Sequence, residues 1–235
     1  MADIQRNLRD TLACVEQSQT APQTGLLCVL QARLVAVSKT KPVGSIQAAY
    51  DIGQRHFGEN YLQELVEKSR QLSQDICWHY IGQLQTNKCK ALAEVPNLWA
   101  VETIDSVKRA RALNTACQHR PTPLNIFVQV NTSQEENKGG IPVAEAETLC
   151  RYVLDDCPQL HLLGLMTIGS VEHSGRIPNP DFQLMAKLQA DLSRTLGRDL
   201  ELSMGMSHDY QHALKMGATN VRVGSSIFGA RAPKV

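Results

Sequence analysis

Lys39 stands directly after the run Leu34-Val35-Ala36-Val37-Ser38. If that run is a strand, alternation puts Val35, Val37 and Lys39 on one face. A lysine held among apolar neighbours at the mouth of a closed sheet is partly desolvated, which lowers its pKa and makes the amine nucleophilic toward carbonyls. The competing reading is a solvated lysine at a strand end, paired with a carboxylate such as Glu59. A second kind of chemistry lies in Val221-Arg222-Val223-Gly224-Ser225-Ser226. Glycine lets backbone N–H groups approach an anion, and the two serines add hydroxyl donors. Ser203-Met204-Gly205-Met206-Ser207 forms the other half of such a cradle, just ahead of a helical stretch. The alternative here is a small-residue turn that merely closes the sheet. Arg222 shares a strand face with Gly224 and requires a carboxylate or a ligand acceptor, because an unpaired buried guanidinium is expensive.

An amine for a carbonyl, a cradle for a phosphate and a guanidinium between them suit few ligands. Pyridoxal 5′-phosphate offers an aldehyde to Lys39 as a Schiff base, a phosphate to Gly224 and Ser225, and a ring nitrogen to Arg222. A phosphosugar aldolase would use the first two features and leave Arg222 without a task. Other strings weigh little. His208 and His212 have the spacing of a zinc-protease motif, but aspartate replaces the glutamate and no third ligand is evident. Gly224 to Gly229 has P-loop spacing, but Ala230-Arg231 stands where Lys-Ser/Thr is needed. The charged stretch 134–140 reads as a solvated loop, and 169–179 as a lid or a plain flexible loop.

These residues need a scaffold that brings distant strand ends together. After a first amphipathic helix (Ile4, Leu8, Leu12, Val15 on one side) and the breaker Pro22-Gln23-Thr24-Gly25, short β-branched or aromatic runs alternate with helical periods. Strands are expected at 34–38, 55–58, 78–82, 98–102, 125–130, 161–167, 200–204 and 221–224. Helices are expected at 45–52, 61–72, 87–94, 106–118, 144–156, 181–196 and 210–216. Ser106 and Asn179-Pro180 are plausible helix starts; Gly53, Gly197 and Gly217 follow helical periods as stops. Eight such units predict an α/β fold, a single (β/α)₈ TIM barrel, with polar clusters at the C-terminal strand ends where barrels build their chemistry. A doubly wound open sheet gives the same alternation, but no GxGxxG follows the first strand. One domain is expected over 1–235, with the helix of 1–20 packed on the barrel.

Composition narrows the functional classes. Of 235 residues, 43% are hydrophobic and 20% charged, enough apolar material for one large core. Twenty-four basic against 23 acidic residues give a net charge of +1, without the basic footprint of a nucleic-acid binder. No apolar run approaches the roughly 20 residues that span a bilayer. The N-terminus lacks the apolar region of a signal peptide. Seven cysteines without a CxxC pair are expected to be free thiols in the cytoplasm, so the sequon at Asn131 is expected to be silent.

The strings Leu34–Pro42, Phe57–Tyr61, Trp78–Gly82, Gly164–Ile168, Glu201–Ser207 and Val221–Gly229 resemble the pyridoxal phosphate homeostasis proteins, over about Arg33 to Arg231. The resemblance implies a barrel like the N-terminal domain of alanine racemase. It also implies a cytoplasmic protein that binds pyridoxal phosphate and maintains its free pool, without established turnover and with apo-enzymes as possible recipients. By resemblance Lys39 is the Schiff-base lysine, Ser203, Gly224 and Ser225 bind the phosphate, Arg222 faces the pyridine nitrogen, and Asn60 and Met166 line the ring. His208 and Lys138-Gly139-Gly140 depart from the family pattern, away from the cofactor positions. The second reading is an amino-acid racemase; such an enzyme brings a further domain with a catalytic tyrosine, whereas this sequence ends at Val235.

Overall fold

The computed structural model describes residues 1–18, 32–133, 135 and 138–230. The turn read at Pro22–Gly25 and the last two residues of the helix read at 1–20 lie outside them. Helix α1 (Ala2–Ser18) precedes eight strands: β1 (Arg33–Val37), β2 (His56–Glu59), β3 (Cys77–Tyr80), β4 (Leu98–Ile104), β5 (Leu124–Gln129), β6 (Leu160–Met166), β7 (Glu201–Ser203) and β8 (Asn220–Val223). Each pairs in parallel with its sequence neighbour, and β8 closes on β1, Val35 opposite Arg222. Between them lie α2 (Val43–Tyr50), α3 (Leu62–Gln71), α4 (Cys89–Ala93), α5 (Val107–Ala116), α6 (Ala146–Asp156), α7 (Pro180–Leu196) and α8 (Tyr210–Lys215). A closing turn of helix, α9 (Ser225–Phe228), follows β8. Sequence periodicity did not find α9, because four residues are too few to show a helical period.

Local chemistry explains the boundaries. Ser106 Oγ accepts the Arg109 N–H at the start of α5. Asn179 Oδ1 accepts the N–H groups of Asp181 and Phe182, with Pro180 in the first turn of α7. Gly197 ends that helix at φ 64°, a conformation cheap only for glycine.

Alternation sorts the strands into two layers. Leu34, Ala36, Phe57, Trp78 and Val101 belong to the large apolar core shared with the helices. Helix α1 joins that core through fully buried Leu8, whose burial contributes about 2 kcal/mol. The inward face is different. Ala100, Phe127 and Met166 make a small apolar cluster, and polar side chains occupy much of the rest.

Candidate functional site

A cavity of about 370 Å³ opens at the C-terminal mouth of the barrel. The end of β1 supplies Val37, Lys39 and Lys41 to its wall, and β2 is followed there by Asn60. Met166 and Ile168 come from the end of β6, and Met206, Ser207 and His208 from the segment after β7. Arg222, Gly224 and Ser225 close the ring from β8 and α9. Thus six of the seven residues singled out from the sequence meet in one cavity. Val37, the last residue of β1, lines it beside Lys39, which lies in the turn that follows the strand.

The seventh, Ser203, sits elsewhere. It is fully buried inside the barrel, below the cavity wall. Its hydroxyl donates to Glu102 Oε2 at 2.5 Å and accepts from Arg222 Nη1 and from Asn220 Nδ2. Ser207, four residues on, is the serine of that string that reaches the cavity, and its Oγ accepts the Gly224 N–H at 3.1 Å.

Arg222 finds the partners that its burial demands. Its Nη2 donates to the Thr167 carbonyl at 2.8 Å, and its Nη1 lies 3.8 Å from Glu102. Below it a polar chain runs through the barrel. Glu102 accepts from His79 Nδ1 at 2.6 Å, and His79 Nε2 lies 2.9 Å from His56 Nδ1. Because the carboxylate can only accept, His79 carries its proton on Nδ1, and its Nε2 accepts from His56. Burial would raise the Glu102 carboxyl; the His79 hydrogen bond, Arg222 and Ser203 outweigh it and hold the pKa down to about 2. Burial also lowers His79, leaving it neutral. At the far end Arg33 donates to Glu201 at 2.6 Å and lies over the Trp99 ring.

Asn60 is placed by close backbone contact. A Cβ at Gly82 would lie 1.9 Å from the Asn60 carbonyl oxygen, so only glycine lets β3 approach there. Asn60 Oδ1 is buried and meets no hydrogen-bond donor among the described residues, which suits a ligand donor or a bound water. Gly224 also has a packing reason to be glycine. Its added Cβ would press on Val37 at 3.3–3.4 Å, so glycine there serves the packing of β8 against β1.

Other positions singled out in the sequence find definite places. His208, taken to lie away from the cofactor positions, is on the cavity wall. Lys41 joins Lys39 there, and its Nζ donates to the Ala230 carbonyl at 2.9 Å. In the segment read as a solvated loop, Lys138 Nζ bridges Glu135 at 2.7 Å and the Gly169 carbonyl at 2.9 Å. Asp181, almost fully buried, holds that neighbouring loop through the Ser170 N–H and His173. His212, once weighed as a metal ligand, accepts the Asn179 N–H through Nε2.

Comparison with known proteins identifies the family. Residues 26–232 match the family described as alanine racemase, N-terminal domain. The pyridoxal phosphate homeostasis protein of Schizosaccharomyces pombe is 52% identical over 199 residues, 84% of each chain. Its human namesake is 49% identical over 216 residues, covering 87% of this chain and 78% of the other. The structure of PipY from Synechococcus elongatus PCC7942 with PLP bound superposes at a TM-score of 0.80, with 30% identity over 96% of this chain and all of that one. Alanine racemase from E. faecalis, at 17% identity and a TM-score of 0.71, shares the fold; this chain covers 59% of it. With a closed parallel barrel and the relatives' identity extending along most of its length, the chain belongs to the pyridoxal phosphate homeostasis protein family, within the alanine racemase N-terminal domain family.

Proposed function

We propose that the cavity binds pyridoxal 5′-phosphate and that the protein holds and releases this coenzyme rather than consuming substrates with it. One observation carries the reading: Lys39, Arg222 and the Gly224–Ser225 corner, from opposite ends of the sequence, converge on one cavity of suitable size. The unpartnered Asn60 Oδ1 supplies a further acceptor on the same wall. When bound, the coenzyme supplies an aldehyde that condenses with the Lys39 amine, forming a C=N Schiff base and releasing water. Arg222 is the residue that would face the ring nitrogen; arginine donates but does not accept a proton there, so it favours an unprotonated ring. An unprotonated ring is a poor electron sink, which suits storage better than carbanion chemistry. Ser225 and Ser226 open α9, where the first N–H groups have no intrahelical acceptor and are available to a phosphate. Met166 and Ile168 give the ring an apolar wall. Ser203 acts from below, aligning Arg222.

The same reading places the protein in the cytoplasm as one barrel domain, handing coenzyme to apo-enzymes. The free state of Cys14, Cys77, Cys89, Cys117, Cys150 and Cys157 supports a reducing compartment. No described helix is long and apolar enough to cross a membrane. A racemase is the second reading, favoured by the shared fold alone. Among the described residues lining the cavity the ionisable side chains are Lys39, Lys41, His208 and Arg222, with no tyrosine or carboxylate to serve as a second base. Incubation with alanine and other amino acids, following D-enantiomer, keto acid and pyridoxamine phosphate, separates the two. Slow or absent turnover fits a carrier; rates of about 1–10³ per second would make the protein an enzyme.

A further inference from the structure

Lys68 is a lysine in α3 that is only 6% exposed, and its three donors are all used. Nζ lies 3.0 Å from the Ser38 carbonyl, 2.7 Å from Glu59 Oε1 and 2.7 Å from Glu64 Oε2. The two carboxylates make second contacts to the same short segment. Glu59 Oε1 accepts from Ser38 Oγ at 2.6 Å, and Glu64 Oε2 accepts the Thr40 N–H at 2.8 Å. The residues before and after Lys39 are therefore both fastened to one buried cluster.

The segment so fastened has an unusual shape. The Lys41 N–H donates to the Ser38 carbonyl at 3.0 Å, closing a turn with Lys39 second and Thr40 third. Thr40 has φ 63°, and it is the one non-glycine residue with positive φ among those described. Turns ordinarily put glycine or asparagine at that place, and a β-branched residue takes it only where its surroundings over-determine the backbone. Local strain at the residue beside the amine points to a device for aiming that amine. A merely structural ion pair would need no contact with Thr40, and an apolar residue at position 68 would serve stability as well.

We propose that Glu59, Lys68 and Glu64 are positioning residues for Lys39, holding the Ser38–Lys41 turn in its left-handed form so that the amine is presented to the cavity. The proposal rests on the coenzyme reading above. It divides two steps: noncovalent capture of ring and phosphate, which needs no turn, and covalent attachment, which does.

Two probes separate these steps. Pyridoxal phosphate reports both; 4′-deoxypyridoxine 5′-phosphate, which has a methyl group in place of the aldehyde, reports capture alone. Glu64→Ala removes the acceptor of the Thr40 N–H from a partly exposed position, so the variant is expected to fold; Lys68→Met, of similar volume, removes the ammonium. For both variants, the equilibrium constant for covalent attachment at Lys39 should fall about tenfold, equivalent to ~1.4 kcal/mol, with affinity for the deoxy analogue unchanged. Thr40→Gly should restore most of the loss in the Glu64→Ala background, because glycine holds positive φ without assistance. Equal losses for both probes, no loss for either, or failure of Thr40→Gly to restore attachment would overturn the proposal. If the unmutated protein binds neither probe, the coenzyme reading fails and takes the proposal with it.

Discussion

Glu102 and Arg222 approach to 3.8 Å inside the barrel, and the Ser203 hydroxyl is hydrogen-bonded to both. Arg222 reaches the cavity, whereas Glu102 is completely buried beneath it, on β4. The guanidinium is thus backed by a carboxylate that does not line the cavity. Glu102→Gln leaves a buried cation without its counter-charge, and removal of one partner from such a pair costs about 3–5 kcal/mol. Urea denaturation of the apo-protein measures it. A loss below about 1 kcal/mol, the scale of an ordinary hydrogen bond, would mean that Thr167 and Ser203 hold Arg222 on their own.

Acid sensitivity follows from the same chain of groups. Burial, then the neighbouring His79 and the Arg33 charge, lower the His56 pKa from 6.5 to about 3. An unfolded chain takes up that proton below about pH 6.5 and the folded one does not, so stability is full above that pH and declines as pH falls toward 3. Glu102, held down to about 2, adds a further loss between its ordinary value of 4.5 and 2. Thermal midpoints measured from pH 8 to pH 4 should therefore begin to drop near 6.5. His56→Gln should flatten the decline between 6.5 and 4.5. An unchanged slope in that variant would show that His56 is not the group responsible.

The phosphate corner predicts a ligand preference. Pyridoxal should bind far more weakly than its phosphate, since it leaves the Ser225 side of the cavity without an anion. Ser225→Ala should cost only about 1 kcal/mol in affinity, one hydrogen bond's worth, if backbone groups make most of the contact. Gly224→Ala acts otherwise, by pushing on Val37 at 3.3 Å and so on the end of β1 that carries Lys39. Calorimetric titration with both ligands tests this, and equal affinities for pyridoxal and its phosphate would contradict it.

Much of this architecture is legible in the sequence, because short β-branched or aromatic runs alternate with helical periods along the chain. Leu34–Val37 and Val221–Val223 mark the two strands that close the barrel, and Asn179-Pro180 and Gly197 bracket α7 at the residues expected. Strand parity puts Arg222 on the inward face, and Lys39 and Gly224 follow the ends of β1 and β8 that open on the cavity. The interior chain is not legible in this way. His79, Glu102, Ser203 and Asn220 meet only after closure, across as many as 118 positions between Glu102 and Asn220, and no local pattern encodes such a contact. The resemblance gives Ser203 to the phosphate, whereas its place as the last residue of β7 turns it into the barrel. Nor does Ser-Lys-Thr-Lys announce a left-handed residue, since no glycine marks the turn and the clamp that imposes it lies about thirty residues onward in α3.

On the proposed function, Lys39 is the residue that would hold the coenzyme. Borohydride reduction of the protein loaded with pyridoxal phosphate, followed by peptide mapping, tests it directly. The expected outcome is a pyridoxyl group on Lys39, and for Lys39→Ala a folded protein that gives no reduced adduct at the cavity. A pyridoxyl group carried wholly by Lys41, which shares the cavity wall, or by Lys88 or Lys138, would contradict it.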